Sequence, residues 1–221
     1  MMSLLTLNMV SYRYDGTDKD IFKKLNVEFE AGKIYAIIGK SGVGKSTLLS
    51  LISGLDLATG GAIYYKQNDL SNLDRDHYRA NDIGVIFQSY NLITNMTAVE
   101  NIVLSMNIGE SDIGDKKDFA LRLLDQVGID EETAKRKTLK LSGGQQQRVG
   151  IARAIAHHPS VIIADEPTGN LDTETEQEIL EILEALAHEE DKCVIIVTHS
   201  PEVASIADVI FEMRGGKLQV C

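Results

Sequence analysis

The sequence predicts an α/β fold built around a parallel β-sheet. Short apolar runs rich in β-branched residues recur along the chain: Ile34 to Ile38, Ile83 to Phe87, Val161 to Ala164, Cys193 to Val197 and Val209 to Phe211. Continuous apolar runs of this length belong to strands buried on both faces, as the strands of a parallel sheet are. Helical patterns lie between several of them, at Lys45 to Ile52, Glu174 to Ala187 and Pro201 to Ile206. Alternating strands and helices imply crossover units and hence a parallel core.

Two stretches depart from this plan. The first 30 residues are strand-rich, with alternation in Leu25-Asn26-Val27-Glu28-Phe29. They lie too close together for helical crossovers, so an antiparallel layer is expected at the N-terminus. Between 91 and 157, helical patterns replace strands, with clear periodicity at Asp118 to Val127 and Gln145 to Ala156. The expected organisation is therefore one domain, 1–221. Its β layer and α/β core come from 1–90 and 158–221, and 91–157 is an inserted helical subdomain.

Bulk properties exclude several function classes. The chain has 221 residues, 43% hydrophobic and 25% charged, which is ordinary globular usage and argues against disorder. Asp plus Glu outnumber Lys plus Arg by 33 to 22, for a net charge of -11, so a nucleic-acid backbone is repelled and no nucleic-acid partner is expected. A pocket of amides and one Lys still binds a small phosphate against that mean field. Two cysteines, Cys193 and Cys221, do not make a disulfide framework, and Cys193 reads as a buried thiol opening a strand. No apolar run approaches the roughly 20 residues that span a bilayer, and Met1 to Val10 lacks a basic leader region. A cytoplasmic protein is expected, with any membrane role supplied by a partner.

The residues that carry chemistry begin at Gly39-Lys40-Ser41-Gly42-Val43-Gly44-Lys45-Ser46-Thr47. This is the P-loop pattern of Gly, four residues, then Gly-Lys-Ser, set between an expected strand and an expected helix. Gly39, Gly42 and Gly44 let the backbone wrap tightly, so that N–H groups from Ser41 to Thr47 face phosphate oxygens. The helix N-terminus adds a favourable dipole. Lys45 reaches the β- and γ-phosphates of ATP, and the Ser46 hydroxyl is a ligand for Mg²⁺. Later in the chain, the run Val161-Ile162-Ile163-Ala164 ends in the adjacent acids Asp165 and Glu166, where α/β folds place ligands. It resembles a Walker B motif, in which Asp165 would hold Mg²⁺ and Glu166 would polarise the attacking water. Leu141-Ser142-Gly143-Gly144-Gln145 is, in physical terms, a second anion-binding helix start, with Ser142 as N-cap. The helix is expected to begin with Gln146-Gln147-Arg148.

That pentapeptide, placed after a P-loop and before an acidic strand end, is similar to the signature of the ABC ATPases. The resemblance covers nearly the whole chain and implies a P-loop, RecA-like core. It implies that Ser142, Gly143, Gly144 and Gln145 contact ATP held by a second nucleotide-binding subunit, taken as another copy of this chain, with a heterodimer as the alternative. Gln88 matches the family's Q-loop glutamine, a sensor of Mg²⁺ and water. Asp172, in Asn170-Leu171-Asp172, matches the D-loop and would join two subunits, although it reads equally well as a helix N-cap. His199 matches the H-loop histidine at the γ-phosphate. Tyr14 lies where the family stacks an aromatic on adenine, with Tyr12 two residues away on the same expected strand face. Ile83 to Gln88, Thr97 to Asn101 and Ala164 to Asp172 resemble one branch in particular: the ATPases of lipoprotein release, macrolide export and antimicrobial-peptide resistance. The branch implies an integral membrane permease as partner. It also implies a place on the inner face of the cell membrane. A soluble ABC ATPase acting on ribosomes or DNA fits less well, because those usually carry tandem units or long coiled-coil inserts. A scaffold for cell-division or envelope-remodelling machinery is the remaining alternative, and the complete set of catalytic residues disfavours a regulator without turnover.

Overall fold

The computed structural model describes residues 3–109 and 111–221. Met1 and Met2, in the expected N-terminal segment, and Glu110, in the expected insert, lie outside the described residues. Two sheets form the frame. The first is antiparallel and four-stranded, in the order β2 (Phe22–Phe29), β1 (Leu5–Tyr12), β4 (Gly60–Tyr65), β5 (Asn68–Asp69). The second has six strands, in the order β10 (Lys217–Val220), β9 (Val209–Arg214), β3 (Lys33–Ile38), β8 (Cys193–Val197), β7 (Val161–Asp165), β6 (Ile83–Phe87). In it, β9, β3, β8, β7 and β6 run parallel, and only β10 pairs antiparallel, on β9.

The strands of the parallel sheet distribute their residues by the two-residue period of a β-strand. Ile34, Ile86, Ile162, Ala164, Val194 and Ile196 join one hydrophobic cluster, and Tyr35, Ile37, Val161, Ile163, Cys193, Ile195 and Val197 join another. This explains why the runs are apolar at every position. Each face is packed, one by the helices between β6 and β7 and by α7 (Thr173–His188), the other by α1 (Lys45–Ile52) and the antiparallel sheet. Full burial of one such Val, Leu or Ile stabilises by about 1.5–3 kcal/mol. Cys193 is fully buried, and burial pushes its thiol up to about 12, so it packs as a small hydrophobe with no thiolate chemistry at neutral pH.

Between β6 and β7 the described residues form α3 (Ala98–Ile108), α4 (Lys116–Gln126), α5 (Glu131–Ala134) and α6 (Gly143–Ile155). Capping boxes at Thr97–Glu100 and Ser142–Gln145 fix the starts of α3 and α6. The second box corrects the expected helix start. Gln145 is the third residue of α6, and both signature glycines lie in its first turn. A short α2 (Arg75–Asn81) precedes β6, and α8 (Pro201–Ser205) follows β8. Among the described residues no helix is long and apolar enough to cross a membrane.

Candidate active site at the carboxyl edge of the parallel sheet

Register brings the distant motifs together. Ile37 pairs with Val197, Val197 with Asp165, and Asp165 with Phe87, so these four residues form one row across β3, β8, β7 and β6. The chain leaves each strand within a residue or so of that row. The P-loop, His199, Glu166 and Gln88 therefore emerge side by side at the carboxyl edge, where a parallel α/β sheet places its ligand.

They line one cavity of 790 Å³, together with Tyr14, Gly39, Ser41, Gly42, Gly44, Lys45, Ser46, Thr47 and Asp165. Gly44 has φ 114, and a Cβ there would come within 2.8 Å of the Ile21 side chain, so the tight turn into α1 needs glycine. The Lys45 ammonium donates to the Gly39 carbonyl at 2.7 Å and to the Lys40 carbonyl at 3.3 Å, folding back over the loop that it serves. Tyr14 lies just beyond the end of β1, which corrects the expectation that it shares a strand face with Tyr12. Tyr12 is buried, while Tyr14 is 46% exposed, with its ring edge-on to Tyr12 at 5.1 Å. The Tyr14 and Thr47 hydroxyls lie 2.7 Å apart, which ties the aromatic to the phosphate loop.

Glu166 sits at φ 47, in the left-handed region, where a non-glycine residue costs about 1–3 kcal/mol. Its Oε1 lies 2.8 Å from His199 Nδ1, and its Oε2 accepts from the Thr198 hydroxyl at 3.2 Å and the His199 amide at 3.3 Å. Burial, and then the neighbouring Glu166, push the Asp165 carboxyl above its ordinary range, with Lys45 opposing. An added cation would relieve this carboxyl. Ser46, Gln88 and Asp165 supply hydroxyl, amide and carboxylate oxygens in the same cavity. That donor set suits Mg²⁺, which is held by one or two carboxylates together with substrate phosphates and water.

Ser142 to Gln145 and Asp172 do not line this cavity. They cluster instead at the adjoining starts of α6 and α7. Ser142 accepts from the Gln145 amide at 3.2 Å, and Asp172 from the Thr175 amide at 3.0 Å, so the N-cap reading holds for both. A Cβ on Gly144 would lie 2.5 Å from the Thr175 methyl, so the two helix starts meet only because residue 144 has no side chain. Sequence reasoning missed Thr198, whose hydroxyl holds Glu166, and Glu176, which accepts from the buried Thr168 hydroxyl at 2.7 Å. Thr198 was adjacent to a named residue and could have been found, but nothing in the local pattern of α7 pointed Glu176 inward.

A family model described as ABC transporter matches residues 22–169. An ABC transporter ATP-binding protein of Bacillus subtilis, YclH, is 43% identical over 219 residues, covering 99% of this chain and 97% of its own. The lipoprotein-releasing system ATP-binding protein LolD 2 of Rhodopirellula baltica is 37% identical, covering 95% of this chain and 85% of its own. The macrolide export ATP-binding/permease protein MacB of Pasteurella multocida is 38% identical over 94% of this chain, but only 32% of its own length is covered. Among solved structures, the dimeric post-hydrolysis state of the ATP-binding cassette MJ0796, bound to ADP and Pi, superimposes with a TM-score of 0.88 at 35% identity. It covers 97% of this chain and 96% of its own; the protein of that name belongs to Methanocaldococcus jannaschii. With the phosphate loop, the acidic strand end and the signature helix all in place, the chain belongs to the ATP-binding, ATP-hydrolysing cassettes of ABC transporters.

Proposed function

We propose that this chain is the ATPase subunit of an efflux, lipoprotein-release or peptide-resistance system. In this reading it works as a homodimer on the inner face of the cell membrane, attached to an integral membrane permease. The observation that carries the reading is the split site. Every predicted phosphate and water ligand lines one cavity, while the signature residues stand outside it at a capped helix start. A site divided in this way is completed by a second subunit, and the solved relative is a dimer.

In the proposed cycle Tyr14 stacks on adenine, and the P-loop amides wrap the triphosphate. Lys45 leaves the Gly39 carbonyl to neutralise the β- and γ-phosphates. Ser46, Asp165 and Gln88 would hold Mg²⁺, which when bound supplies charge neutralisation at the phosphates. Ser142 and Gly144 of a second copy close over the γ-phosphate. Glu166 orients the attacking water, while His199 and Thr198 keep its carboxylate aimed, a contribution of geometry and electrostatics. Charge repulsion after hydrolysis reopens the dimer.

The permease contact is assigned to a groove of 520 Å³ lined by Leu49, Leu55, Val85, Phe87, Asn91 and Arg153, beside Gln88. Leu55 is 61% exposed there, an apolar side chain that a partner would cover. The cassette portion of MacB, a protein named for both ATP-binding and permease functions, supports such a partner. The test is affinity purification of tagged Glu166→Gln from membranes in Mg-ATP, with mass spectrometry of what accompanies it. Recovery of a permease supports the reading. Recovery of ribosomes or DNA-repair proteins without a membrane protein overturns the transporter reading, and recovery of a cell-division complex moves the function to envelope remodelling.

A further inference from the structure

The loop that carries Gln88 contains two successive non-glycine residues in the left-handed region, Tyr90 at φ 60 and Asn91 at φ 49. The left-handed conformation costs each non-glycine residue energy, so such a pair persists where a tight hairpin, as at Lys66–Gln67 between β4 and β5, or further contacts hold it. Local hydrogen bonds close the turn: the Tyr90 amide to the Phe87 carbonyl at 3.2 Å, the Asn91 amide to the Ser89 carbonyl at 2.6 Å, and the Ser89 hydroxyl to Asn91 Oδ1 at 3.0 Å. These bonds leave both outward carbonyls, those of Tyr90 and Asn91, for another partner.

That partner is Arg153, near the end of α6. Its Nη2 donates to the Tyr90 carbonyl at 3.0 Å and its Nη1 donates to the Asn91 carbonyl. The side chain is half-buried, which pushes the guanidinium's pKa down, and among the described residues no carboxylate pairs with it. A half-buried guanidinium bonded to two backbone carbonyls fixes the geometry of the loop, and its planar fork suits two acceptors at once. The same loop touches α6 twice more. The Tyr90 hydroxyl lies 2.9 Å from where a Cβ on Gly143 would be, and the Tyr90 carbonyl 3.7 Å from one on Gly150. Residues 143, 150 and 153 fall on one helical face, so the loop lies along α6 from the signature to its last turn.

We propose that Arg153 is a positioning residue for ATP hydrolysis: it clamps the Tyr90–Asn91 backbone to the signature helix and so holds Gln88 at the phosphate cavity. This rests on the ATPase reading above. It makes the Gln88 loop and the signature helix one mechanical unit, so that a shift of α6 on dimer closure moves Gln88 with it.

The experiment uses the full-length chain with Arg153→Lys, which keeps the charge and the aliphatic stem but loses the fork. Amide hydrogen exchange at Tyr90 and Ile93 should accelerate about tenfold or more, with amides in the middle of α6 unchanged. Steady-state kcat for ATP should fall about tenfold, with KM within about twofold. Adding Asn91→Gly should restore part of kcat, because glycine adopts the left-handed conformation without a clamp. Wild-type exchange and kcat in Arg153→Lys would overturn the proposal. So would loosening of α6 to the same degree as the loop, or absence of any recovery with Asn91→Gly. If the wild-type chain hydrolyses no ATP, the ATPase reading fails, and the exchange data still decide whether Arg153 holds the loop.

Discussion

Glu166 and His199, 33 residues apart in the chain, are joined by a 2.8 Å contact between Oε1 and Nδ1, and Glu166 adopts a left-handed backbone to make it. The side chain proposed to polarise water is thus aimed by its neighbour. Glu166→Gln keeps the shape and removes the basic oxygen. Phosphate release should fall about 10²–10⁴-fold while ATP still binds, and gel filtration in Mg-ATP should show an accumulated dimer. Undiminished phosphate release would remove Glu166 from its assigned role.

Lys45 bonds to two loop carbonyls, so in the proposed cycle it reaches the phosphates by exchanging neutral acceptors for charged ones. Lys45→Ala should weaken ATP binding by about 1.5–3 kcal/mol, read by titration with a fluorescent nucleotide. Melting temperature should hardly change, because the side chain faces a cavity and supports no core contact.

Tyr14 meets the site in two ways, with its ring and with its hydroxyl. Tyr14→Ala should lose about 1–3 kcal/mol of nucleotide affinity with the stacking surface. Tyr14→Phe keeps the ring and loses only the bond to Thr47, so it should lose less than half of that. Equal losses would mean that the hydroxyl, not the ring, matters.

Asp165 links the site to stability. Its carboxyl is raised above the ordinary 3.8 by burial first and by Glu166 second. The folded state therefore binds this proton more tightly than the unfolded chain does. Its contribution is most favourable below the unfolded value and is lost as pH rises through the folded one. In the absence of nucleotide, Asp165→Asn should melt at a higher temperature than wild type at neutral pH. The difference should shrink as pH falls toward the ordinary carboxylate range. The same substitution should abolish Mg²⁺-dependent hydrolysis.

Gly150 stands inside α6 at a buried position where a Cβ would meet only the Tyr90 carbonyl, at the ordinary contact distance of 3.7 Å. Gly150→Ala should stabilise the protein by about 0.5–1 kcal/mol through helix propensity. For a chain of this length that raises the melting temperature by about 1–4 °C in a thermal scan. A lower melting temperature would show that α6 needs the bare backbone at this point.

The central strands were readable because a strand buried on both faces must be apolar throughout, and Val161 to Ala164 and Cys193 to Val197 carry that constraint residue by residue. Helix starts were less readable. The signature helix begins at Gly143 because Ser142 and Gln145 cap each other, a reciprocal contact that outweighs the low propensity of two glycines. Period-two spacing extends the strand as far as Tyr14, because spacing alone cannot reveal that β1 stops at Tyr12.

The sequence by itself carried the pattern of the chemistry: a Gly-rich loop of phosphate-binding spacing, a lysine and two adjacent acids, a second capped helix start, and the α/β class that holds them. Local composition and spacing carry all of this, since they act through neighbours in the chain. Only the tertiary structure decided which of those groups share a cavity. Gln88, Glu166 and His199 meet because β6, β7 and β8 pair in one register, and Arg153 reaches Tyr90 because α6 lies along the Gln88 loop. Strand register and helix docking are set by the fit of two buried faces, a property of the folded whole that no stretch of residues carries alone.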